Sequence, residues 1–186
     1  MKEKLLTVPN VITAFRLIGS LVLLLFIPTF SKAFFIIYTL CGISDVIDGT
    51  VARLTKSTTE FGAKLDSIAD LLFYSVLFFC ILPNLIEKLP FYVWAIGILA
   101  VVIRLASYST AAIKYHRFAS VHTYMNKLTG VVMFSIPYFV LTKFIIPVCI
   151  LLGVISVTAS LEELIMHITA PKYNPDKKTL LPTRQK

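Results

Sequence analysis

The sequence predicts an all-α, polytopic membrane protein with six transmembrane helices, and three observations predict it. Of the 186 residues, 57% are hydrophobic and the mean hydropathy is +0.83, too apolar for a water-soluble domain. Long apolar runs alternate with short breaks marked by proline or charge. The positive charges fall almost entirely on one side of the arrangement those breaks define. At about 20 residues per span the length suits one domain over residues 1–186.

A short amphipathic entry at 2–9 carries Lys2 and Lys4 and leads into the first span, 11–28, opened by Pro9-Asn10 and closed by Pro28. The second span is 33–53. The third, 61–82, is closed by Pro83-Asn84, and Pro90 opens the fourth, 90–113. The fifth and sixth, 129–142 and 145–168, are parted by Thr142-Lys143, with Pro147 in the first turn of the sixth, where proline is tolerated. Pro171 and Pro175 mark a polar tail at 172–186. No small-residue cleavage site follows the first apolar run, so it reads as retained. Cys41, Cys80 and Cys149 lie far apart in apolar runs and have neither zinc nor redox spacing.

Alternating spans place the N-terminal segment, the 53–64 loop, the 113–128 loop and the tail on one side, with fourteen Lys and Arg residues, Arg16 among them. The other side has three, Lys32, Lys88 and Lys143, and Arg104 falls inside the fourth span. That asymmetry makes the first side cytoplasmic, with both termini and the acidic site below facing the cytoplasm from the inner membrane. The net charge of +8 then belongs to topology and to anionic lipids or phosphates; no soluble face is left for nucleic acid.

Against this background stand four aspartates within 26 residues: Asp45, Asp48, Asp66 and Asp70. Carboxylates are costly in a bilayer, so intramembrane acids mark function. Asp45 and Asp48 are three apart and Asp66 and Asp70 four apart, so each pair shares a helix face. Asp45 lies eight residues before Arg53, about 12 Å deeper along a helix. Two such faces together form a nest of like charges that divalent cations would relieve. Asp45, Asp48 and Asp66 offer hard oxygen ligands for two Mg²⁺ or Mn²⁺ ions, suited to phosphoryl or phosphatidyl transfer. Asp70 is then a candidate base for an acceptor hydroxyl. Gly49, Ala52 and Gly62 are small enough for close approach of a ligand, and the planar fork of Arg53 suits phosphate.

The run Asp45-x-x-Asp48-Gly49-x-x-Ala52-Arg53-(eight residues)-Gly62-x-x-x-Asp66-x-x-x-Asp70 resembles the complete signature of the CDP-alcohol phosphotransferase family at all eight fixed positions. The resemblance implies a six-helix membrane enzyme, commonly a homodimer, that moves a substituted phosphate from a CDP-linked donor to an alcohol and releases CMP. It implies that the four aspartates surround two metals, with Asp70 as proton acceptor. Gly49, Ala52, Arg53 and Gly62 would line the CDP site, with Thr59 at a position often polar in relatives.

The segment Pro9-Asn10-Val11-Ile12-Thr13-Ala14-Phe15-Arg16 is similar to the start of bacterial phosphatidylglycerolphosphate synthases, which use CDP-diacylglycerol and glycerol 3-phosphate. Asn10 and Thr13 in it are candidates for the donor site, or caps of the first span. His122-Thr123-Tyr124-Met125-Asn126-Lys127-Leu128-Thr129-Gly130 departs from those enzymes, which carry two lysines there; Lys127 matches one and Thr129 replaces the other. Leu65-Asp66-Ser67-Ile68-Ala69-Asp70 leans toward phosphatidylserine synthases. A basic group, Arg104, Lys114, Arg117, His122 and Lys127, favours a phosphorylated acceptor, glycerol 3-phosphate first, with serine and inositol phosphate as alternatives. Outside this chemistry stand an intramembrane prenyltransferase, whose Asp motifs are split between distant helices, and a small cation transporter, which has no need of Gly49, Ala52, Arg53 or Gly62.

Overall fold

A computed structural model describes residues 8–26, 30–54, 60–116, 121, 123–170 and 179–180. Among them the chain forms six α-helices and no strand. They are α1 (Val8–Leu23, followed by a 3₁₀ turn at Leu24–Phe26), α2 (Lys32–Leu54), α3 (Glu60–Lys88), α4 (Phe91–Tyr115), α5 (Tyr124–Phe139) and α6 (Ile145–Thr169). Each expected span coincides with a helix. Three helical segments among the described residues are long and apolar enough to cross a membrane: Lys64–Lys88, Phe91–Tyr115 and Ile145–Thr169. α1 and α5 have 16 residues each, about 24 Å of helix against a hydrocarbon core of roughly 30 Å. α2 has the length, but Asp45, Asp48 and Arg53 lower its apolarity. The expected entry at 2–9 lies outside the described residues except where α1 begins, as does the 172–186 tail apart from 179–180.

Several boundaries differ from the sequence reading: α1 runs from Val8 to Leu23 against the expected 11–28, α5 ends at Phe139 and not 142, and two further differences are instructive. Pro83 does not close the third helix, which runs on to Lys88. Ending a helix orphans four carbonyls, whereas an internal proline removes one N–H from the ladder, and in apolar surroundings the smaller loss prevails. α5 begins at Tyr124, five residues before the expected start. Its first turn is polar and was hidden from an apolarity count, yet it is capped: the Thr123 hydroxyl accepts from the Asn126 N–H at 3.1 Å.

The chain divides into two compact units, residues 1–83 and 84–186. In the first, α1 packs along α2. Gly19 permits the approach, since a Cβ there would lie 2.6 Å from Cys41 Sγ. Tyr38 of α2 stacks on Phe73 of α3 with ring centroids 5.6 Å apart, and also on Phe34 at 6.3 Å. The buried face of α1 is not wholly apolar: Asn10, Thr13, Arg16 and Ser20 are all buried along it, with Leu23 beyond them. In the second unit α6 packs against both α4 and α5. A Cβ at Gly153 would lie 2.6 Å from Ile96 Cγ2, so α4 and α6 meet there without a side chain between. Lys88 Nζ donates to the Val140 carbonyl at 2.9 Å, tying the end of α3 to the end of α5. The last carbonyls of α6 are covered in turn: Lys114 Nζ donates to His167 and Ile168 at 3.0 and 2.7 Å, and the Tyr115 hydroxyl to Ala170 at 2.9 Å.

Candidate functional site

The four aspartates meet in the first unit. Asp45 and Asp48 project from one face of α2, and Asp66 and Asp70 from one face of α3, as their spacing requires. One carboxylate oxygen each from Asp45, Asp48 and Asp66 lie within 4.8 Å of one another, a set that could hold a metal ion. Hard oxygen donors on this scale suit Mg²⁺ or Mn²⁺ after a small contraction, since octahedral Mg²⁺ takes its ligands at about 2.1 Å. Asp48 is the innermost, with its side chain 4% exposed, while Asp45 and Asp66 are 39% and 45% exposed. The cluster thus has a closed floor and an accessible mouth.

Arg16, which the sequence reads as a topological charge and as the last residue of the Pro9-to-Arg16 segment but gives no site role, sits in the middle of this cluster. The Arg16 side chain is fully buried, and its guanidinium reaches all four acids. Nη1 donates to Asp45 Oδ1 and lies 3.1 Å from Asp70 Oδ1. Nη2 donates to Asp66 Oδ1 and lies 3.4 Å from Asp48 Oδ2. The buried Nε has no hydrogen-bond partner among the described residues. Thr13, one turn earlier, donates from Oγ1 to Asp48 Oδ2 at 3.1 Å. The Ser20 hydroxyl donates to the Arg16 carbonyl at 2.7 Å. With four acids to one guanidinium, these five side chains carry a formal charge of −3 when ionised.

The remaining donor-site candidates fall around this cluster in sequence. Asn10 is buried on the same stripe of α1 as Thr13 and Arg16. Gly62 lies in the first turn of α3. Gly49, Ala52 and Arg53 lie on α2, one to two turns beyond Asp48 or next to it, and only their helical backbone is described. Thr59 lies outside the described residues.

The acceptor candidates belong to the second unit. Arg117 and His122 lie outside the described residues. Arg104 of α4 pairs through Nη1 with Glu163 of α6 and donates through Nη2 to Asn126 Oδ1 at 2.8 Å. Glu163 is fully buried and accepts also from the Val121 N–H and from Asn126 Nδ2, each at 3.1 Å. Arg104 also lines an apolar cavity of about 610 Å³ along α4 and α6, with Trp94, Gly97, Cys149 and Gly153. Lys114 caps α6 as described. Lys127 is exposed in the first turn of α5.

The family model for CDP-alcohol phosphatidyltransferase matches residues 6–165. The chain belongs to the CDP-alcohol phosphatidyltransferase family. Among curated proteins it is 40% identical over 67 residues to a CDP-diacylglycerol–glycerol-3-phosphate 3-phosphatidyltransferase of Haemophilus influenzae, covering 34% of this chain and 36% of that one. It is 38% identical over 69 residues to a protein of the same name from Wigglesworthia glossinidia brevipalpis, covering 35% and 38%. It is also 36% identical over 74 residues to a CDP-diacylglycerol–serine O-phosphatidyltransferase of Methanocaldococcus jannaschii, covering 40% and 34%. The matched stretch thus spans little more than a third of each of these relatives. No solved structure matches the chain.

Proposed function

We propose that the protein transfers a phosphatidyl group from CDP-diacylglycerol to glycerol 3-phosphate and releases CMP. The observation that carries this reading is the convergence of oxygens of Asp45, Asp48 and Asp66 to within 4.8 Å, with Asp48 on the closed floor and Asp45 and Asp66 at the accessible mouth, within a chain of this family. Two Mg²⁺ or Mn²⁺ ions bound by the four aspartates would neutralise the donor diphosphate and polarise its phosphorus–oxygen bonds. Asp70 takes the proton from the acceptor hydroxyl as its oxygen bonds to the phosphorus of the phosphatidyl group. The bond from that phosphorus to the bridging oxygen breaks, and CMP leaves with the electron pair. Asn10, Thr13, Gly49, Ala52, Arg53, Thr59 and Gly62 hold the cytidine diphosphate. The acceptor phosphate is assigned to the basic group of Arg104, Lys114, Arg117, His122 and Lys127, because a dianion in a partly desolvated site needs charge-assisted donors.

The same reading takes all six helices as spans of the cytoplasmic membrane, with both termini and the aspartate mouth on the cytoplasmic side. It takes the working form as a homodimer. Thiol labelling of single cysteines placed at residues 58 and 140 tests the topology: reaction at 58 only from the outer face would overturn it.

A second reading keeps the chemistry and changes the acceptor to serine. It is favoured by the similarity to the Methanocaldococcus jannaschii serine O-phosphatidyltransferase. The deciding experiment offers labelled CDP-diacylglycerol to the purified chain in detergent with Mg²⁺ or Mn²⁺ and with glycerol 3-phosphate, serine or inositol 1-phosphate. Phosphatidylglycerol phosphate as the main product supports the first reading. Product with serine alone overturns it in favour of the second, and CMP release with no acceptor and no divalent ion would overturn both.

A further inference from the structure

Arg16 stands in an unusual position for a buried arginine. A buried guanidinium pairs most favourably when its planar fork binds one carboxylate bidentately and its remaining N–H groups are also satisfied. Here the fork is divided between two helices: Nη1 lies on Asp45 of α2 and Asp70 of α3, and Nη2 on Asp66 of α3 and Asp48 of α2. Nε, buried with the rest, meets no acceptor among the described residues. The side chain is therefore held by the carboxylates and by little else. The acids it bridges include Asp45, Asp48 and Asp66, the three whose oxygens converge as a candidate metal set.

We propose that Arg16 is a built-in counter-cation of this site: it holds the four carboxylates together and competes with divalent ions for them. Metal uptake is then an exchange, in which guanidinium contacts to the carboxylates are given up for metal contacts. This rests on the metal-site reading above and adds a direction to it. One guanidinium leaves the cluster at −3, and its removal leaves −4. Loss of Arg16 therefore has two effects of opposite sign. The chain without metal becomes less stable, because four acids face each other without relief. Affinity for a divalent ion rises, because the ion meets one more negative charge and no rival. An arginine that served only to brace the helices would lower both together.

The test uses the full chain purified in detergent, with Mn²⁺ as the probe. Free Mn²⁺ is followed by electron paramagnetic resonance, and thermal unfolding is measured in EDTA and in excess Mn²⁺. The comparison is among wild type, Arg16→Gln and Arg16→Lys, with Asp48→Asn to define binding outside the cluster. Arg16→Gln is expected to bind Mn²⁺ about tenfold more tightly, the size of one partly screened charge interaction at close range. It is also expected to unfold at a lower temperature in EDTA, with excess Mn²⁺ closing most of that gap. Arg16→Lys keeps the charge but not the fork and is expected to fall between; should Arg16→Gln fail to fold, Arg16→Lys decides the question alone. Wild type that binds Mn²⁺ through Asp48, with no tightening in the folded variants, overturns the counter-cation and leaves the metal site standing. Wild type that binds no more Mn²⁺ than Asp48→Asn overturns both.

Discussion

Arg16 in the first unit and Arg104 in the second are both arginines set among carboxylates in an otherwise apolar part of the chain, and the balance around them differs. Arg104 meets one acid, Glu163, whose side chain is fully buried and accepts from Arg104, Asn126 and the Val121 N–H. Charge is matched one to one, and the carboxylate is closed off. Arg16 meets four acids, three of them more than a third exposed, and leaves its own Nε unpartnered among the described residues. A matched, enclosed carboxylate has nothing to gain from a further cation, and the pair joins α4, α6 and the start of α5. An unmatched, accessible cluster attracts cations. Stoichiometry and access separate the two more sharply than burial of the arginine, which alone would rank Arg16 as the more structural.

Breaking each region in turn tests that contrast. The largest effect is expected at the floor of the unmatched cluster. Asp48→Asn should lower turnover of CDP-diacylglycerol by about 10³-fold through lost electrostatic stabilisation, with little change in unfolding temperature. Next comes the matched pair: Glu163→Gln should cost about 3 kcal/mol of stability by leaving Arg104 without its counter-charge. Thermal unfolding in detergent reads it, and the double change with Arg104→Gln should recover part of the loss, since the two residues act as one unit. A smaller effect is expected of Arg104→Gln on catalysis, an increase of about tenfold in the KM for glycerol 3-phosphate with the donor KM unchanged, the worth of one charge-assisted hydrogen bond. If unfolding shifts and neither KM does, Arg104 is a brace only and the acceptor phosphate is held elsewhere. The smallest is Thr13→Ala, which removes the hydroxyl on Asp48 and should cost about 1 kcal/mol. Comparing its metal affinity with that of wild type shows whether the hydroxyl orients Asp48 or merely fills space.

Much of this was legible in the chain. The apolar runs placed the helices, with Pro90 directly before α4, because in hydrocarbon an apolar run has few alternatives to a helix. The i, i+3 and i, i+4 spacings of the aspartates put each pair on one face, and the structure joins the faces. Pro83 misled because a rule drawn from water overstates how readily proline ends a helix in apolar surroundings. Arg16 was missed because a basic residue near a predicted cytoplasmic end is fully explained by topology. The overlooked signal was the stripe Asn10, Thr13, Arg16 and Ser20, spaced three, three and four along an apolar helix. Polar residues at helical spacing on an apolar segment share one face and have to meet polar partners. The Arg104–Glu163 pair was out of reach for another reason: 59 residues separate them, and no local pattern ties one position to the other.

Among the described residues each unit has a seam where two helices touch across a glycine, Gly19 against Cys41 and Gly153 against Ile96. In the bilayer that the proposed topology assigns to these helices, lipid tails are as apolar as leucine, so such seams gain little from expelling water and depend on dispersion between closely fitted surfaces and on the release of ordered lipid. The usual currency of core design is therefore reversed at these two positions. A methyl group added there makes the sequence more hydrophobic and the protein less cohesive, because it would lie 2.6 Å from Cys41 Sγ or Ile96 Cγ2 and force the fitted helices apart.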